Sequence, residues 1–156
     1  MTARYAFVDS WVVAAPPERV RDVVVDLEHY PEWWPQVVAV VKLGPDDSRV
    51  LCRSALPYTL DLLLHAVTRD LPVVEVRIGG DLVGSARWTL TPAGGGTRMD
   101  YEQAVEVRGA LAVASYLARP MLRWNHARMM AGGRYGLVRR LEAQAESSAD
   151  GARRSS

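Results

Sequence analysis

Four polar residues in the second half of the chain carry groups suited to contact a small molecule. Asn125 and His126 are adjacent in a helical segment and share a face with Met129 at about 100° per residue. Tyr101 and Gln103 lie two residues apart in a strand-like segment, on its apolar face. Because buried polar groups need partners, these residues either bond to one another or orient the polar end of a bound molecule.

Three tryptophans are the apolar candidates for ligand contact. Trp33 and Trp34 stand side by side between two prolines, and Trp88 lies on the apolar face of a later strand. Large aromatic side chains fill cores as readily as they line binding sites, so both roles stay open for each of them.

The sequence offers little evidence of a catalytic, metal-binding or cofactor-binding motif. His126 titrates near neutral pH, but acid–base catalysis also needs an orienting partner, and the catalytic residues are left unknown. The spacing of His29, His65, His126 and Cys52 is not that of a zinc site, so we expect no metal. We also expect no cofactor, because the chain has no Gly-rich phosphate loop, nucleophile elbow or dinucleotide-binding fingerprint.

Four charged or titratable residues on the middle strands are weaker candidates. Asp61 and His65 share one strand face, which we expect to be the solvent side because leucines occupy the other. Arg53 and Arg69 could bind a ligand carboxylate or carbonyl, although isolated strand arginines are usually at the surface. The pattern does not decide whether Arg53, Asp61 and His65 face the interior.

Composition indicates one ordinary globular domain. The chain has 156 residues, of which 49% are apolar and 24% charged, and its net charge of +1 gives no reason to expect nucleic-acid binding. Cys52 is the single cysteine, so no intrachain disulfide can form. Apolar runs are far shorter than the ~20 residues that span a bilayer, and the N-terminus resembles no signal segment. We therefore expect a soluble, cytoplasmic protein.

The first forty residues predict a strand followed by two short helical segments. A strand over 5–14 ends at Pro16 and Pro17, and a helix over 18–27 follows with apolar residues at i, i+3, i+4 and i+7. A short second turn or helix covers 28–35.

The middle of the chain predicts an antiparallel meander. Turn signals rich in glycine, proline and aspartate separate six further strands. Alternation gives the later strands one polar and one apolar face. Pro57 predicts a bulge or a sheet edge. The strands are expected at 36–43, 49–56, 58–70, 73–79, 82–92 and 97–107.

The C-terminal part predicts a long helix from 110 to 145 that Pro120 breaks or kinks, leaving a main segment over 121–145. Gly133 and Gly136 on its inner face indicate either close approach to the sheet or room for a ligand. Trp124, on the opposite face, would meet the sheet or contribute to a dimer or entry-portal surface. The small, polar segment 147–156 is expected to be a disordered tail.

These features together resemble the SRPBCC superfamily, which includes START domains, polyketide cyclase/dehydrases and lipid carriers. The resemblance spans about residues 8–142 and is carried by the order of several motifs. The first motif is the strand–helix–helix start, which ends at Tyr30-Pro-Glu-Trp, and the second is Leu56-Pro57-Tyr58. The third is Gly80-Asp81-Leu82-Val83-Gly84, followed by Trp88 and by Gly96-Thr97-Arg98. The fourth is Asn125-His126 with Met129, Gly133, Gly136 and Leu137.

The resemblance implies the α+β helix-grip fold. In that fold a seven-stranded curved antiparallel sheet wraps around the long C-terminal helix, with two short helices between strands 1 and 2. The whole of 1–146 would form one such domain. An apolar cavity between sheet and helix is usual in the superfamily.

Three functions are compatible with this fold. The first is binding of a small hydrophobic molecule, such as a lipid, isoprenoid or polyketide, in the cavity. The second is a polyketide cyclase/aromatase-type enzyme acting in the same space. The third is a protein-interaction module with a closed core, and a homodimer is compatible with any of them. The expected ligand-binding residues are Trp33, Trp34, Trp88, Tyr101, Gln103, Asn125, His126 and Met129.

Overall fold

The computed structural model describes residues 2–53 and 58–155, apart from the side chains of residues 110, 111, 116 and 117. Seven strands form a single antiparallel sheet in the order β1-β7-β6-β5-β4-β3-β2. The strands are β1 (Thr2–Val13), β2 (Val37–Lys42), β3 (Asp47–Arg53), β4 (Thr59–Thr68), β5 (Val73–Gly80), β6 (Val83–Ala93) and β7 (Gly96–Arg108).

The meander from β2 to β7 is confirmed, and β1 closes the sheet by pairing with β7. That pairing runs without interruption from Thr2 opposite Arg108 to Val13 opposite Thr97. Register shifts between Val37 and Ala39 and between Ala66 and Thr68 mark bulges, which bend strands. The bulge predicted at Pro57, and part of the Leu56-Pro57-Tyr58 motif, lie outside the described residues.

The helices are α1 (Pro17–Val25), α2 (Tyr30–Trp33), α3 (Ala110–Leu117) and α4 (Arg119–Arg154), with a 3-10 turn at Leu27–His29. Helix α1 packs through its predicted apolar stripe, since Val20, Val23 and Val24 are buried. The predicted helix-grip fold, with two short helices between the first two strands and one long C-terminal helix, is confirmed.

Pro120 separates α3 from α4, as the sequence predicts. It lies in the first turn of α4, where the missing N–H leaves no intrahelical hydrogen bond unmade. The other end of α4 differs from the expectation of a disordered tail from 147, because the helix continues to Arg154. Ser148 Oγ donates to the Gln144 carbonyl, and Arg154 pairs with Asp150 one turn earlier at 3.1 Å. Local pairs of this kind support a helical turn without burying any side chain.

The apolar face predicted for the last strands is the inner face of the sheet. Trp88, Leu90, Met99 and Tyr101 are all buried there. On the outer face Arg87 pairs with Glu75 at 3.1 Å. The inner face is therefore the surface on which a binding site can form.

Candidate functional site

A cavity of about 680 Å³ lies between the inner face of the sheet and the first half of α4. Aliphatic side chains of β4 and β5, including Leu60, Leu62, Leu64 and Val76, form much of its wall. They point inward because alternate residues of a strand share a face. A volume of this size is in the range of small-molecule sites, which are roughly 300–1,000 Å³.

The polar centre of the cavity is a hydrogen-bonded set of three side chains. Tyr101 Oη donates to Gln103 Oε1 over 2.6 Å, and His126 Nε2 lies 3.2 Å from the same oxygen. Strand β7 supplies the first two residues on one face, and α4 brings the histidine over them. Of the two alternatives that the sequence leaves open for these residues, bonding to one another is therefore present.

An aromatic stack holds the histidine ring in place. Phe7 of β1 lies parallel to His126 with ring centroids 3.8 Å apart, and Tyr101 lies 6.2 Å away on a similar plane. With Gln103 Oε1 as the acceptor, His126 Nε2 carries the proton and Nδ1 is left as an acceptor.

Burial keeps the titratable groups of this centre uncharged. It lowers the pKa of His126 to about 4, an effect that the negative charge of Asp9 partly opposes. Desolvation also raises the pKa of Tyr101 well above its usual value, and that of the Cys52 thiol to about 11. The imidazole, the phenol and the thiol are therefore all neutral at pH 7.

Trp34 lines the cavity and is hydrogen-bonded to the long helix. Its ring lines the cavity, and its Nε1–H donates to the Met129 carbonyl over 2.9 Å. Its neighbour Trp33 is buried as well, but it lies outside the cavity lining, stacked on Trp34 with centroids 5.5 Å apart.

The structure thus brings seven of the eight sequence-predicted binding residues together. Trp34, Trp88, Tyr101, Gln103, Asn125, His126 and Met129 all line the cavity. Trp88 and Tyr101 are buried, and Met129 is half-buried. These three residues therefore share one interior.

The glycines of α4 do not serve either of the roles predicted for them. A side chain at Gly136 would overlap the Trp33 carbonyl oxygen, and one at Gly133 would come within 2.5 Å of the Trp34 ring. Because these glycines have no side chains, the segment 33–36 before β2 packs directly against the helix, and neither the sheet nor a ligand occupies that place. Between Met130 and Leu141 the helix is accordingly packed tightly.

Sequence reasoning missed the residues that β1 contributes. Tyr5 and Phe7 both line the cavity, and the Tyr5 hydroxyl donates to the Ser115 carbonyl over 2.9 Å. The signal was present, because Tyr5, Phe7, Trp11 and Val13 alternate along one face. The half-buried Asp9 interrupts this run of apolar residues, and only the pairing of β1 with β7 brings Phe7 beneath His126.

Ion pairs surround the mouth of the cavity. Lys42 Nζ lies 3.7 Å from Glu28 Oε1, and Arg69 Nη1 lies 2.7 Å from Asp46 Oδ1. All four side chains are about half-exposed. The lining thus changes from apolar inside to charged and solvated at the edge.

Three of the four weaker candidates on the middle strands face away from the cavity, whereas Arg69 lines its mouth. Asp61 pairs with Arg49 on the outer face of the sheet, and His65 Nδ1 lies 2.8 Å from Asp47. Arg53 is exposed and does not line the cavity. Over the described ranges, no group of three His, Cys, Asp or Glu side chains is arranged to hold a metal ion.

Comparison with known proteins identifies the family. A model of the family described as polyketide cyclase/dehydrase and lipid transport matches residues 5–142. The chain belongs to this family. The resemblance predicted from the sequence is thereby confirmed. No curated protein sequence matches the chain significantly.

Solved structures with the same fold share few residues with this member of the polyketide cyclase/dehydrase and lipid transport family. A protein of Thermus thermophilus is 20% identical, with a TM-score of 0.79 over 90% of this chain and 99% of the other. A START superfamily protein of Mycobacterium smegmatis is 19% identical, with a TM-score of 0.74 over 89% and 98%. An aromatase/cyclase of Streptomyces sp. R1128 is 16% identical, with a TM-score of 0.72 over 92% and 96%. At these identities the likeness supports the fold alone.

None of the helices in the described part of this family member is long and apolar enough to cross a membrane.

Proposed function

We propose that the protein binds a small hydrophobic molecule, such as a lipid, an isoprenoid or a polyketide-like compound, in its internal cavity. The observation that carries the proposal is a volume of about 680 Å³ with largely aliphatic and aromatic walls. Binding there removes apolar ligand surface from water, and each Å² buried contributes roughly 25 cal/mol to the favourable free energy of binding. The Tyr101–Gln103–His126 centre would fix the orientation of the ligand.

The properties of this centre support binding more than acid–base catalysis. A general acid or base works best when its pKa is near the operating pH. The pKa of His126 is about 4, and that of Tyr101 is raised well above its usual value. Neither group would exchange a proton readily near pH 7. An aromatase/cyclase role would therefore depend on positioning of the substrate rather than on proton transfer by these side chains.

The open interior also gives little support to an interaction module with a closed core. Such a module would fill the space between β4, β5 and α4 with side chains. That space instead has room for a molecule of drug-like size.

Native mass spectrometry of the purified protein tests the proposal. We expect a bound species that survives gentle ionisation and is released by organic solvent. After extraction, the neutral fluorophore 6-propionyl-2-dimethylaminonaphthalene should bind saturably with one site per chain. The extracted compound should displace it.

Displacement separates binding in the cavity from adsorption to the surface. Linear, non-saturable fluorescence without displacement would contradict the proposal, as would the absence of both a co-purified species and a saturable site.

A further inference from the structure

The polar centre of the cavity consists of uncharged groups whose mutual bonds leave one donor unused. Tyr101 and His126 both direct a hydrogen to Gln103 Oε1. No described residue accepts a hydrogen bond from Gln103 Nε2, while the residue itself lines the cavity. An amide N–H of this kind needs an oxygen acceptor. Reversing the amide would present an oxygen instead, which a hydroxyl group could equally satisfy.

The described lining of the cavity contains no interior cation that could neutralise a ligand carboxylate. Lys42 and Arg69 are the cations among its described lining residues, and each is paired with an acid at the mouth. Arg119 is exposed and lies over the Tyr5 ring, 5.7 Å from its centroid, outside the lining. The sequence places only Ser, Ala, Leu and Pro at positions 54–57, so this segment adds no charge.

A ligand ammonium group would be equally poorly matched. Asp26, Glu28 and Asp46 line the cavity only toward its charged edge, paired with His29, Lys42 and Arg69 respectively. Asp9, whose negative charge acts on the pKa of His126, does not line the cavity. Burying an unpaired ion costs far more than burying a hydrogen-bonded neutral group.

We infer that the ligand presents an uncharged oxygen, a carbonyl or a hydroxyl, to Gln103 in the interior of the cavity. This inference rests on the proposed function and narrows its ligand class.

Four anthracene probes that differ in one substituent test the inference by fluorescence titration at pH 7. They are anthracene, 9-anthracenemethanol, 9-anthracenecarboxylate and 9-(aminomethyl)anthracene. The alcohol should bind about fivefold more tightly than anthracene, the factor that one neutral hydrogen bond of about 1 kcal/mol provides. The two ions should bind at least about tenfold more weakly than the alcohol.

Gln103→Met removes the amide at nearly constant volume and should abolish the advantage of the alcohol over anthracene. Gln144→Met, the same substitution on α4 away from the cavity, should leave that advantage unchanged. If Gln103→Met fails to fold, the four-probe comparison on the wild-type protein still decides the question.

The inference is overturned if either ion binds as tightly as the alcohol, or if the alcohol keeps its advantage in folded Gln103→Met. Failure of all four probes to bind counts against the proposed function instead.

Discussion

Between Leu122 and Leu141, the first half (122–129) and the second half (130–141) of helix α4 face the same protein interior but differ in how closely they are packed. From Leu122 to Met129 the helix lines the cavity. From Met130 to Leu141 it is packed closely, with Met130 and Leu137 almost inaccessible to solvent. One continuous helix therefore provides both the wall of a site and the anchor that fixes this wall.

The difference between the halves follows from the size of their inward side chains. In the second half, Gly133 and Gly136 admit Trp34 and the Trp33 main chain directly against the helix. In the first half, Asn125, His126 and Met129 extend from the helix into the space above the sheet. The smallest residues thus mark the place of closest contact, and the larger ones mark the room for a ligand.

The largest effect should come from adding one methyl group to the packed half. In Gly136→Ala the new Cβ would overlap the Trp33 carbonyl oxygen, which belongs to the main chain and cannot move away cheaply. We expect unfolding free energy to fall by more than about 3 kcal/mol in chemical denaturation. Gly151→Ala on the same helix meets open space and should be neutral or stabilise by up to about 1 kcal/mol. Equal stability of the two variants would refute the close contact.

Truncating one leucine in each half compares how closely the two halves are packed. Leu137 is fully buried in the packed half, whereas Leu122 is partly buried and lines the cavity. Leu137→Ala should lower the unfolding free energy by about 2–3 kcal/mol, because it opens a new void. Leu122→Ala only enlarges existing space and should cost about 1 kcal/mol or less. A larger loss for Leu122→Ala in urea denaturation would mean that the first half is packed as well.

A smaller effect is expected from acid acting on the first half. The pKa of His126 is about 4 in the folded protein, against an ordinary value of 6.5. Between these values the unfolded chain takes up a proton that the folded chain does not. The stability associated with neutral His126 is therefore complete above about pH 6.5 and declines as pH falls toward 4.

Removing the imidazole should remove that decline. His126→Gln should lose stability less steeply than wild type between pH 6.5 and 4 in thermal denaturation. Parallel curves for His126→Gln and wild type would show that His126 is not desolvated.

Much of the architecture was readable from the sequence because period-two alternation fixes strand faces locally. The positions of Trp88, Tyr101 and Gln103 follow from it, and helical spacing then places His126 above them. The glycine contacts could not be read in this way. They depend on where the segment 33–36 meets a helix a hundred residues later, and local periodicity carries no information about that meeting.

Phe7 illustrates the same limit at the sheet edge. Its inward orientation follows from alternation in β1, but its stack on His126 requires the pairing of β1 with β7, a contact about a hundred residues apart in sequence. At the end of α4, residues 147–154 are exposed, and local pairs such as Arg154–Asp150 support the helix there.

Filling the cavity with a larger side chain tests directly whether ligands bind there. Ala86 of β6 lines the cavity opposite Gln103, whereas Ala104 of β7 faces outward beside it. Affinity for 9-anthracenemethanol should be measured by native mass spectrometry for wild type, Ala86→Phe and Ala104→Phe, with melting temperatures to verify folding. We expect folded Ala86→Phe to lose at least about tenfold in affinity, or about 1.4 kcal/mol, while Ala104→Phe binds as wild type. Wild-type affinity in folded Ala86→Phe would contradict binding in this cavity.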